Sequence, residues 1–208
     1  QVQREMDRLR RLPAGAPEAA QVRAYLHCLW ALPWQRSTSE NTDLRAVERI
    51  LEHDHLGLPR AKERIVEYLA VRKLKPDLPG PTLCLVGPPG TGKTSLGAAV
   101  AHALNRPFVR ITVSGTSDAS ELVGISRNLP GAQPGKIAQA IREAGASDPV
   151  LIIDGIDRLM GETGLGVMEV LLDLLDSEKS GHFVDHYLGL PIDLSHAGWY
   201  LSEFDRAL

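Results

Sequence analysis

The 208-residue sequence predicts an α/β fold, a parallel sheet flanked by helices, behind a small helical N-terminal segment. Three features carry that expectation. The stretch "TLCLVGPPGTGKTSLGAAVAHAL" passes from an apolar strand through a glycine-rich loop into a helix. Strand-like and helix-like segments then alternate as "FVRITV", "KIAQAIREAG" and "PVLIIDGID", the order that sets parallel strands between crossover helices. Ahead of residue 76 the apolar periodicity is helical. Two regions follow: residues 1–75 as a helical segment and cap, and residues 76–208 as the nucleotide-binding domain.

Val2, Met6 and Leu9 share one helical face that ends at the break "LPAGAP". Pro17 opens a second helix, where a missing N–H costs nothing, and Val22, Leu26, Leu29 and Trp30 form its apolar stripe. Core packing is the expected role of Trp30 and Trp34. After the polar loop "STSENTD", Asp43 caps a third helix, and residues 57–59 break it from a fourth. The phosphate-loop unit comes next, and no internal repeat interrupts it.

Composition excludes several function classes. Hydrophobic residues make up 43% and charged residues 24%, as in soluble proteins, and no apolar run approaches the roughly 20 residues of a spanning helix. The opening "QVQREMDRLRRLP" lacks the apolar core of a signal peptide, so a cytoplasmic setting without a membrane partner is expected. Cys28 and Cys84 sit in apolar helix and strand patterns and are expected as buried reduced thiols. The net charge of −3 is interspersed along helices, and nucleic acid is not needed to explain it.

The chemistry concentrates at residues 87–94, "GPPGTGKT". Gly87, Pro88, Pro89, Gly90, Thr91 and Gly92 form a loop whose backbone N–H groups turn inward on phosphates, and the following helix adds its positive end. Lys93 reaches the β and γ oxygens, Thr94 ligates Mg²⁺, and Ser95 is counted with them among the nucleotide-binding residues. ATP or ADP with Mg²⁺ is therefore the expected cofactor. Asp154, closing "VLIID", is the acid expected to hold the Mg²⁺ water shell. The next position normally carries a carboxylate that activates the attacking water, and here it is Gly155. Loss of a positioned base lowers a rate by about 10² to 10⁴, so Gly155→Glu is expected to raise turnover. Asp157 is the candidate substitute, provided the backbone bends.

With these residues in place the chain resembles the AAA+ ATPase region of Lon-family proteases over nearly its whole length. "RAYLHCLWALPW", "ILEHDHLGLPRAKERIVEYLAVRKL", "LCLVGPPGTGKTSLGAAVAHALNRPFVRI" and "FVDHYLGLPIDLS" carry the resemblance. It implies a P-loop NTPase fold and a homo-oligomeric ring, a hexamer, that passes unfolded protein to a Ser-Lys peptidase domain lying beyond Leu208. It also places His55 and Leu56 beside the adenine, with Leu56 where the family has tyrosine.

The sequence departs from the family at several points. "DEID" becomes "DGID". The pore loop, an aromatic, an aliphatic and a glycine in the family, is Leu129, Pro130 and Gly131, with Gln133 in place of the usual methionine. "EIRGHRR" becomes "ELVGISR", removing an arginine and a histidine at Val123 and Ile125. No asparagine follows Asn128 to act as the family's sensor, and Arg206 is the candidate arginine finger. His182 and His186 lack a third ligand at fixed spacing, so they are read as surface or hydrogen-bonded histidines. The reading is a Lon-like module that binds ATP or ADP, hydrolyses it poorly and acts as a gate or scaffold for a peptidase. One rival is an active unfoldase with Asp157 as base; the other is an interaction module that binds no nucleotide.

Overall fold

The computed structural model describes residues 2–13, 15–39, 41, 43–75, 82–159, 164–176 and 178–203. Four helices come first: α1 (Val2–Arg11), α2 (Pro17–Trp30), α3 (Leu44–Asp54) and α4 (Pro59–Leu74). Asp43 caps α3 by accepting the N–H of Arg45 at 3.1 Å. Gly57 and Leu58, both at positive φ, make the turn into α4.

The α/β unit runs β1 (Thr82–Val86), α5 (Lys93–Leu104), β2 (Phe108–Thr112), α6 (Ser120–Val123), α7 (Lys136–Ala144) and β3 (Val150–Asp154). A short 3₁₀ helix, Ile156–Leu159, precedes α8 (Leu165–Leu175), the hairpin of β4 (Phe183–Asp185) and β5 (Leu190–Ile192), and β6 (Gly198–Glu203). The main sheet is parallel in the order β1-β6-β3-β2.

Strand alternation divides the core in two. Val150 and Ile152 face a layer built from α3, α4 and α5, with Leu51, Ile65, Leu96 and Val100 buried there. Leu151 and Ile153 face the opposite layer of α2, α7 and α8, with Tyr25, Ile137 and Leu171. Helices α2, α3 and α4 thus share their apolar faces with the sheet.

A strap between α2 and α3 fastens that arrangement. Asp148 accepts the N–H and the hydroxyl of Thr38. Arg36 carbonyl takes the N–H of Ser147 at 2.8 Å, and Leu104 carbonyl takes that of Asn41 at 3.0 Å.

Two expectations about packing are corrected. Trp30 is 70% exposed, because the buried stripe of α2 runs through Val22, Tyr25, Leu26 and Leu29 and leaves Trp30 on its rim. Trp34 is exposed as well, its indole N–H donating to Leu29 carbonyl at 2.8 Å. Cys28 is buried but Cys84 is exposed, because β1 is an edge strand among the described residues.

Candidate nucleotide site

Strand order creates the site. β6 lies between β1 and β3, so the loop leaving β1 and the acid closing β3 end at the same edge of the sheet, one strand apart. The register makes this specific: Val86 pairs with Glu203, and Asp154 pairs with Ser202 on the same strand.

Within the loop, Gly90 and Gly92 take φ of +78° and +88°, conformations that side chains rarely adopt. Gly92 is the N-cap of α5, and no side chain caps the helix, so its first N–H groups face the loop. Lys93 Nζ donates to the carbonyls of Gly87 at 2.8 Å and Pro88 at 2.7 Å, which holds the ammonium inside the loop. Thr91 hydroxyl donates to Pro88 carbonyl at 2.8 Å, and Ser95 hydroxyl to Gly92 carbonyl at 2.9 Å. Pro89 is exposed on the outer rim.

His55 and Leu56, adjacent in sequence, take different roles. His55 is buried against the loop, its Nε2–H donating to Gly92 carbonyl at 3.2 Å. A Cβ on Gly92 would lie 2.6 Å from that nitrogen, so the histidine fits only beside glycine. Leu56 is 94% exposed, open to solvent beside that histidine.

Asp154 is joined by an ion pair to the Arg110 guanidinium of β2. The carboxylate therefore sits where a cation is already held against it. With the Thr94 hydroxyl it offers hard oxygen donors of the kind Mg²⁺ takes, and these residues fit that ion.

Beyond Asp154 the chain turns sharply. Gly155 has φ +87°, and a Cβ built on it would meet the Ser114 Cβ at 2.7 Å. A glutamate cannot be added to this backbone without displacing Ser114, which corrects the expectation that Gly155→Glu simply raises turnover. The bend expected at Gly155 is present, but it carries Asp157 into a buried position in the 3₁₀ helix.

The remaining candidates lie apart. An isolated bridge pairs Ile125 with Gln133, closing a hairpin with Leu129, 58% exposed, and Pro130 at its tip. Asp185, fully buried at the hairpin's root, accepts N–H groups from Gly135 at 2.8 Å, Tyr187 at 2.9 Å and Leu188 at 3.0 Å. Burial pushes its carboxyl above the ordinary aspartate value, outweighing the pull of those donors. No group of three metal-ligating side chains that includes His182 or His186 occurs among the described residues. Arg206 lies outside the described residues.

Sequence reasoning missed Arg110 and Ser114. The signal for Arg110 was a lone cation within the apolar strand "FVRITV", next to the strand that ends in an acid.

Comparison with known proteins adds a family. Residues 83–185 match the family described as "ATPase family associated with various cellular activities (AAA)". The Lon protease of Syntrophus aciditrophicus is 49% identical over 193 residues, 93% of this chain and 24% of that protein. The Lon protease of Dictyoglomus thermophilum is 49% identical over 195 residues, 94% of this chain and 25% of that protein. The peroxisomal Lon protease homolog 2 of Zea mays is 46% identical over 194 residues, 93% of this chain and 22% of that protein. The chain spans about a quarter of the length of the curated relatives it matches. No described helix is long and apolar enough to cross a membrane.

Proposed function

The chain belongs to the AAA family and corresponds to the ATPase region of Lon proteases, and from that premise we propose that it binds ATP or ADP with Mg²⁺ but turns ATP over slowly. The single observation carrying this reading is the contrast between an intact phosphate loop and Gly155. Binding rests on backbone N–H groups, the Lys93 ammonium and the α5 N-terminus, all supplied by this chain. Hydrolysis also needs a base aligned with water, and the position after Asp154 has neither a side chain nor space for one.

On this reading the module forms a homo-oligomeric ring, a hexamer, and serves as a gate or scaffold. Unfolded polypeptide passes to a Ser-Lys peptidase in a cytoplasmic protein. Leu129 and Pro130 offer less surface for gripping a substrate than an aromatic side chain does. The names of the relatives support the proteolytic context.

The test is steady-state phosphate release by the intact protein at saturating Mg-ATP, paired with a fluorescent-nucleotide titration. We expect saturable binding with release near background, and loss of binding in Lys93→Ala. Turnover of about 1 s⁻¹ or more, within the ordinary enzyme range, overturns slow hydrolysis and makes Asp157 the next residue to test. No saturable binding overturns the nucleotide reading itself.

A further inference from the structure

The hairpin that presents Leu129 is held from outside as well as at its root. Arg127, two residues before the tip, turns back toward the N-terminal helices. Its Nη1 donates to Glu5 Oε1 of α1 at 3.0 Å, across 122 residues of sequence. Its guanidinium carbon stands 3.7 Å from the centroid of the Tyr25 ring on α2. Among the described residues, that bond to Glu5 is the hydrogen bond by which residues 126–132 reach another element.

Both partners are buried. Glu5 is the buried residue of α1, and its second oxygen lies 3.8 Å from Arg8 Nη1. Tyr25 is fully buried; its hydroxyl donates to Leu188 carbonyl at 2.8 Å, and its ring meets Tyr187 edge-on at 5.9 Å. One planar cation therefore has α1 on one side, α2 against its face and the β4–β5 turn behind that ring. The carboxylate needs a cation because it is buried, and the stacked face restricts where that cation sits. A lysine would satisfy the charge without fixing the plane.

We propose that Arg127 is a positioning residue through which the N-terminal helix pair sets the placement of the 125–133 hairpin, so that displacing α1 releases the hairpin. This goes beyond the nucleotide reading and does not depend on it.

The experiment is amide hydrogen exchange of the intact protein, followed in the 125–133 segment and in β3 as a core reference, with ADP affinity measured alongside. Arg127→Met is expected to speed hairpin exchange about ten-fold or more, with Glu5→Gln acting in the same direction to a smaller extent. The double variant is expected to exchange no faster than Arg127→Met, because one interaction is lost twice. Arg127→Lys should fall between wild type and Arg127→Met. β3 exchange and ADP affinity are expected to be unchanged. Unchanged hairpin exchange overturns the proposal, and so does a uniform rise that includes β3, which would mark general loosening. If Arg127→Met fails to fold, the near-isosteric Glu5→Gln decides by the same two criteria.

Discussion

Gly155 and Ser114 are packed so closely that a Cβ on the glycine would stand 2.7 Å from the serine Cβ, and the glycine φ of +87° is one that side chains rarely adopt. The catalytic departure is thus embedded in the backbone and is more than a missing side chain. Gly155→Glu is expected to leave phosphate release at the wild-type background while lowering stability by about 1–3 kcal/mol, the cost of a strained backbone position. Gly155→Ala should lose a similar amount, since the Cβ is responsible. Adding Ser114→Gly should recover part of the loss. Thermal unfolding with phosphate release checks all three. A glutamate variant of unchanged stability and hundred-fold higher turnover would refute the account.

On the proposed reading Arg110 is expected to influence Mg²⁺ affinity. Its guanidinium is paired with Asp154, and Mg²⁺ held as proposed would compete with it for the same carboxylate. The arginine is about half exposed, so the pair contributes only about 0.2–1 kcal/mol. Arg110→Ala is accordingly expected to lower the Mg²⁺ concentration that half-promotes ADP binding by up to about five-fold. The readout is fluorescent ADP binding across a Mg²⁺ series. An unchanged or raised midpoint would show that Arg110 does not compete.

Asp185 gives a pH signature. Burial raises its carboxyl above the ordinary aspartate value, so its contribution to stability is fully present below the unfolded value and is lost as pH rises through the folded one. Asp185→Asn is destabilising at every pH, because an amide offers one acceptor oxygen where the carboxylate receives three N–H groups on two. Since the asparagine does not titrate, the gap between wild type and variant should be wider at about pH 4.5 than at pH 7.5. Urea unfolding of the intact protein at both values checks this, and a gap that narrows toward acid would contradict it.

The loop of the candidate site was legible because its elements are local. The loop at 87–94 needs glycines, a lysine and a helix start in fixed order, and these are adjacent in the chain. The α3 cap at Asp43 and the break at Gly57 were readable for the same reason. Burial was harder, since it depends on neighbours that periodicity does not name. Trp30 continues the apolar stripe of α2 yet sits on its rim, and Cys84 lies in an apolar strand that proves to be an edge. Arg110 with Asp154, and Gly155 with Ser114, come together only through the β2–β3 pairing, which no single segment announces.

The strand order also imposes a timetable. Among the described residues β1 finds its sheet partner in β6, the last strand in sequence, whereas β2 and β3 can pair with one another as soon as both exist. While the chain emerges from the ribosome, the loop at residues 87–94 is made early but keeps a partnerless strand behind it until Glu203 has followed. Nucleotide is therefore expected to bind late rather than to template the nascent fold, and the sheet edge left open meanwhile needs protection from other chains.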